Sequence, residues 1–160
     1  MRIILVMLLG LLLSACGFHL RAQATLPFET LYVEGSGNST FVNELKRAVQ
    51  SGSSTRLVDA PGEAQAVLQV MGEIRQKNIL SLSGGGRVRE YQLIYQITFR
   101  LHDGKGKELM PASVISLKRD VSFNDAQLLA KESEEVLLYR DMQTDAVQQI
   151  FRRLRVTKLN

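Results

Sequence analysis

Apolar residues in this chain first run together, then recur at helical spacing, then alternate, and then return to helical spacing. Ile3 to Leu13 is a continuous apolar run behind Met1 and Arg2. Gly17 to Pro27 has no periodicity and reads as a tether. Thr30 to Glu34 predicts a short strand, stopped by Gly35-Ser36-Gly37-Asn38. Phe41, Val42, Leu45, Ala48 and Val49 then predict a helix, with Ser39 or Thr40 as its N-cap and Gly52 at its end. Arg56 to Val58 predicts a second short strand, and Ala60-Pro61-Gly62 a turn.

From Ala66 the period changes to two. Leu68, Val70 and Ile74 are expected on one side, and Ile79, Leu80 and Leu82 extend the apolar character up to a flexible hairpin tip at Gly84-Gly85-Gly86. Tyr91, Leu93, Tyr95, Ile97, Phe99 and Leu101 alternate with Gln92, Ile94, Gln96, Thr98 and Arg100. That is the pattern of an antiparallel strand covered on one face. Asp103-Gly104 with Gly106 predicts a turn. A return strand from Glu108 to Val121 contains Pro111, which belongs at an edge or an irregularity. Asn124 to Gln127 resembles a capping box. Val136, Tyr139, Met142, Ala146, Ile150 and Leu154 predict a helix from Ala126 to Leu154, roughly 44 Å long. The elements together predict an α+β fold: a mixed, mostly antiparallel sheet of about four main strands with two helices packed on one face.

One charge, a short apolar run and Ser14-Ala15 before Cys16 make up a secretory signal. The run is too short for a permanent bilayer span of about 20 residues. Leu13-Ser14-Ala15-Cys16 also resembles a lipobox, in which the cysteine is acylated and becomes the mature N-terminus. Gly17, rather than Asp, at the following position points to the outer membrane. The expected organisation is a cleaved signal over 1–15, an anchor and tether over 16–29, and one domain over 30–160. Cys16 is the only cysteine, so no intramolecular disulfide is available and stability must come from packing. A composition 45% hydrophobic and 22% charged is that of an ordinary globular domain. A net charge of +4 suits anionic groups without implying nucleic acid.

Candidate chemistry is sparse. Gly35-Ser36-Gly37-Asn38-Ser39-Thr40, with Asp59 beyond, has the outline of a dinucleotide fingerprint. Thr40 stands where the third glycine belongs, and a meander follows instead of further βαβ units. His19 and His102 have no metal or triad spacing, and Glu132, Glu134 and Glu135 read as a solvated helix face. No cofactor, metal or catalytic residue is assigned. The informative residues are basic: Arg87 and Arg89 at the hairpin, Lys118 and Arg119 on the return strand, and Lys131 at the start of the last helix. If hairpin and helix start share an end, they form a cationic patch suited to phosphate. Arg152, Arg153, Arg155 and Lys158 are expected to complement the dipole of the last helix.

Three segments carry a family resemblance. Cys16-Gly17-Phe18-His19-Leu20-Arg21, Glu90-Tyr91-Gln92-Leu93 and Asp125-Ala126-Gln127-Leu128-Leu129-Ala130-Lys131 resemble, in order, the LptE family of lipopolysaccharide-assembly lipoproteins. The resemblance implies a non-enzymatic outer-membrane lipoprotein that plugs the LptD β-barrel. It also implies assistance in barrel assembly and in lipopolysaccharide insertion, and binding of lipopolysaccharide itself. Lys131 is the residue carried over by motif, with Arg87 or Arg89 standing for a hairpin arginine. The competing readings are a lipoprotein adaptor with another protein client, and a periplasmic enzyme, which would need a pocket near Asp59, His102 or the glutamates.

Overall fold

The computed structural model describes residues 25–158; the signal, Cys16, His19 and most of the tether lie outside them. The order is β1 (Thr30–Glu34), α1 (Thr40–Gly52), β2 (Arg56–Leu57), β3 (Ala66–Leu82), β4 (Val88–His102), β5 (Glu108–Ser122) and α2 (Leu128–Val156). Short 3-10 turns occupy Pro61–Glu63 and Asp125–Gln127. The strands form one sheet in the order β2-β1-β3-β4-β5. β1 runs parallel to both β2 and β3, and β3, β4 and β5 form an antiparallel meander. The expected α+β class is observed. The sheet has five strands rather than about four, because the two-residue β2 joins it beside β1.

One core joins the elements. Phe41, Val42, Leu45 and Val49 of α1 and Met142, Ala146, Val147, Ile150 and Leu154 of α2 share a buried cluster with Leu93, Tyr95, Ile97, Phe99 and Leu101 of β4. Both helices therefore cover the same sheet face. Each large apolar side chain removed from water there contributes about 1.5–3 kcal/mol. The opposite face is laced by polar pairs: Gln92 Nε2 donates to Asp120 Oδ1 at 3.0 Å, and Gln96 Nε2 to Ser116 Oγ at 3.2 Å.

Two irregularities change what the alternation predicted. The β3–β4 register shifts between Val70 and Gly72. Ile74 consequently pairs with Gln96 on the uncovered face and is 46% exposed, while Glu73 pairs with Ile97. Ile74 thus does not share a side with Leu68 and Val70, since one inserted residue reverses every later side chain. The second shift lies between Phe99, paired with Ser113, and Leu101, paired with Met110. It accommodates Pro111, which has no amide to donate, on the edge strand.

The helix starts follow local chemistry. Ser39 Oγ accepts the Val42 amide at 3.2 Å and caps α1. Asn124 Oδ1 accepts the Ala126 amide at 3.0 Å, so this residue caps the 3-10 turn and α2 proper begins at Leu128.

Candidate functional site

The β3–β4 hairpin and the start of α2 lie at one end of the domain. The Phe123 amide donates to the Arg89 carbonyl at 2.7 Å, and the Phe123 ring meets Tyr91 edge-on at 5.2 Å. These contacts fasten the β5–α2 connection against the beginning of β4. The hairpin tip is more ordered than its glycines suggest. Ser83 and Arg87 are joined by an amide–carbonyl bond of 2.7 Å, Ser83 Oγ accepts the Arg87 amide at 3.1 Å, and Gly86 takes φ +76°, where glycine is favoured.

The structure brings Arg87, Arg89 and Lys131 to this end. Both arginines are exposed, and neither forms an ion pair among the described residues. Lys131 is more covered than the two arginines. Its side chain is 17% exposed, and Nζ donates to Ser122 Oγ at 3.1 Å and to Glu134 Oε2 at 2.8 Å. Lys131 also lines a cleft of about 50 Å³ with Lys77, Tyr91, Phe123, Glu132 and Glu135, room for water but not for a substrate. The glutamates are not a purely solvated face, because Glu135 bonds Lys77 Nζ at 2.6 Å and that ammonium stands 4.4 Å from the Tyr91 ring centre. Lys118 and Arg119 do not join the tip. Lys118 pairs with Ile94, away from the helices, and Arg119 bonds Asp145 at 2.9 Å further along α2.

Around these charges lie exposed apolar side chains. Ile79, Leu80, Leu82, Leu128 and Leu129 are between 46% and 79% exposed. The tip is therefore amphipathic, with guanidinium groups able to grip phosphate in bidentate fashion beside a surface suited to hydrocarbon.

The other end carries a groove of about 560 Å³ lined by Pro27, Glu29, Gln65, Asp103, Gly104 and Lys105. Asp103 Oδ1 is committed to the Lys105 and Lys107 amides of its own turn. His102 Nδ1 lies 2.6 Å from the Asp103 carbonyl. No acid–base pair converges there, and no group of His, Cys, Asp or Glu among the described residues is arranged to hold a metal ion.

The profile of the LptE family, described as lipopolysaccharide-assembly, matches residues 28–154. The chain belongs to the LptE family. It is 30% identical to the LPS-assembly lipoprotein LptE of Yersinia enterocolitica, over 96% of this chain and 76% of that protein. It is 29% identical to that of Pectobacterium atrosepticum, over 94% and 83%. Among solved structures it is similar to lipoprotein B from Nitrosomonas europaea, with a TM-score of 0.74 at 44% identity, covering 87% of this chain and 88% of that one. The rare lipoprotein B from Shewanella oneidensis gives 0.69 at 26%, covering 78% and 92%.

This LptE-family domain also holds a part-buried polar network between helices and sheet that the sequence did not disclose. Glu73 accepts from Tyr95 Oη at 2.9 Å, from Arg75 at 3.2 Å and from Ser39 Oγ at 3.2 Å. Gln143 accepts from Arg75 at 3.1 Å and donates to Glu44 at 2.6 Å, tying α2 to β3 and α1. Burial, reinforced by the Glu73 carboxylate, holds the Tyr95 hydroxyl well above the ordinary tyrosine range. Burial likewise raises Tyr139, with the Glu135 charge adding to it. The only trace in the sequence is Gln143, a polar residue within the apolar stripe of α2. The network joins both helices to the sheet, with Arg75 at its solvent edge, 45% exposed, and Glu73 24% exposed; its bonds tie the helices to the strands.

Proposed function

We propose that this protein is a stoichiometric, non-enzymatic partner of the LptD β-barrel, held by acylated Cys16 on the periplasmic side of the outer membrane. It occupies the barrel lumen, assists barrel assembly and engages lipopolysaccharide during insertion into the outer leaflet. Family membership across 28–154 carries this reading, and the chemistry of the tip supports it. Lipopolysaccharide joins phosphates to acyl chains. Arg87, Arg89 and Lys131 suit the phosphates, and Leu128, Leu129, Ile79, Leu80 and Leu82 suit the hydrocarbon. A barrel lumen is largely polar, and the Gln92–Asp120 and Gln96–Ser116 ladder offers donors and acceptors to such a wall. No cofactor enters the scheme.

The test is a mild-detergent pull-down of the tagged, acylated protein from its own membranes. The expected result is a large β-barrel recovered in equal amount together with lipopolysaccharide. Recovery alone, or with soluble partners only, rejects the barrel partnership and favours an adaptor with another client.

A further inference from the structure

The end opposite the tip gathers three features. The described chain begins there, at Thr25, with Leu26 and Phe28 buried in the core cluster. Thr55 Oγ1 donates to the Phe28 carbonyl at 2.9 Å, and Gly52 lies against the Phe151 ring. The start of β1 and the last turns of α1 and α2 therefore share this end. Residues 16–24 connect Cys16 to it, and a chain of that length reaches at most roughly 30 Å.

The same end of α2 is strongly cationic. Arg152, Arg153, Arg155 and Lys158 fall within seven residues, and no Asp or Glu follows Asp145 in the chain. None of the four forms an ion pair among the described residues. The Arg153 guanidinium lies 5.6 Å from the Phe99 ring centre and is held there. Arg152, Arg155 and Lys158 are exposed, beside Val156 at 77% exposure. Of the carboxylates at this end, Glu29 and Asp103 line the separate groove beside β1 and the β4–β5 turn. Glu63 lies in the 3-10 turn, its carbonyl accepting from Thr30 Oγ1, and Glu108 pairs with His102 at the start of β5. Dipole complementation accounts for cations in the last turn. It does not account for Arg152 before that turn, Lys158 beyond it, or an uncovered valine among them.

We infer that the C-terminal end of α2, through Arg152, Arg155, Lys158 and Val156, docks on anionic phospholipid headgroups when the protein is outside the barrel. Charge complementarity names the partner, and the tether restricts the search to a lipid surface within its reach. A cluster of basic residues beside a lipid anchor binds acidic membranes by this mechanism, and a polybasic patch is an effective second signal beside acyl chains. In the docked pose the tip points away from the bilayer. The inference rests on the Cys16 reading for its tether and not for the headgroup contact itself.

The chain has no tryptophan, so Val156→Trp supplies a single emission reporter. Acylated protein carrying it is placed in vesicles of phosphatidylcholine alone, or of phosphatidylcholine mixed with phosphatidylglycerol. Expected are a blue shift and quenching by headgroup-labelled lipid in the mixed vesicles only, reversed by salt. Both are lost on adding Arg152→Glu, Arg155→Glu and Lys158→Glu, while Leu129→Trp at the tip stays unquenched. Circular dichroism confirms that the variants are folded. Equal quenching in both vesicles, insensitive to the charge reversals, overturns the inference. A shift seen only in detergent complexes with a co-purified barrel assigns the surface to protein and overturns it too. If mass spectrometry finds no acyl chain, the Cys16 reading fails separately. Acyl-free protein should still sediment with the mixed vesicles, about 5-fold less for each cation neutralised, and absence of that binding rejects the surface.

Discussion

Lys131→Glu is the most direct perturbation of the tip. Lys131 is the fourth residue of α2, where a cation opposes the helix dipole at a cost of about 0.3–1 kcal/mol. Its i,i+3 pair with Glu134, 47% exposed, returns about 0.2–0.5 kcal/mol. The two nearly cancel, so Lys131 contributes little to folding. Glutamate at this position gains from the dipole and loses through repulsion from Glu132, Glu134 and Glu135. The net change should stay within about 1 kcal/mol, a melting shift of no more than about 4 °C. A charge-assisted hydrogen bond to a lipid phosphate is worth about 1.5–3 kcal/mol, so lipopolysaccharide binding should weaken at least about 10-fold. Glu134→Gln should act oppositely, freeing Nζ and tightening binding about 2-fold. Thermal melts followed by circular dichroism, with displacement of fluorescent lipopolysaccharide, separate fold from binding. A well-folded Lys131→Glu protein that binds like its parent refutes the assignment. A stability loss of several kcal/mol refutes the electrostatic accounting.

Tyr95→Phe should cost about 1.5 kcal/mol in urea denaturation, the low end for a bond to a charged acceptor, because Glu73 keeps Ser39 and Arg75. With Tyr95 raised above its ordinary value of 10.0, its contribution is full below that value and is lost as pH rises above it. Stability should fall by up to about 1.4 kcal/mol per pH unit per proton there, and less steeply in Tyr95→Phe. Gly104→Ala would place a Cβ 3.0 Å from the Pro61 carbonyl oxygen and 3.1 Å from that of Ala64. Both obstacles are backbone, so a loss of about 1–3 kcal/mol is expected, measured by urea denaturation. Cys16→Ala should abolish incorporation of labelled palmitate in cells; undiminished labelling would reject Cys16 as the acylated residue.

The parts of the fold legible in the sequence are those with one-sided burial. β4 alternates because one face meets two helices, and α2 repeats at helical spacing because its stripe crosses three strands. The turn in β3 at Met71 and Gly72 was not legible, since a bulge inserts a residue without changing composition, and Ile74 changes face as a result. At the tip, Arg87, Arg89 and Lys131 were legible as charges, whereas their shared end depends on the pairing of Glu90 with Ser122. The Lys131–Glu134 contact is local and could be read from its spacing. The Lys77–Glu135 contact spans 58 residues and required the fold.

The two basic surfaces lie at opposite ends of the same long strands. β4 alone, at fifteen residues, spans roughly 50 Å, against about 40–45 Å for a bilayer with its headgroups. From a tether on the inner leaflet, a domain of that length carries its tip to the depth of the outer leaflet only by entering a polar passage, as the barrel-plug reading requires. Headgroup docking by α2 points the tip the other way. The two poses exclude one another, and a tether of roughly 30 Å is long enough for the domain to turn between them. On the two proposed readings, charges that hold the free protein at the membrane would oppose its entry into the barrel, so headgroup docking would have to be weaker than the contact with the lumen wall.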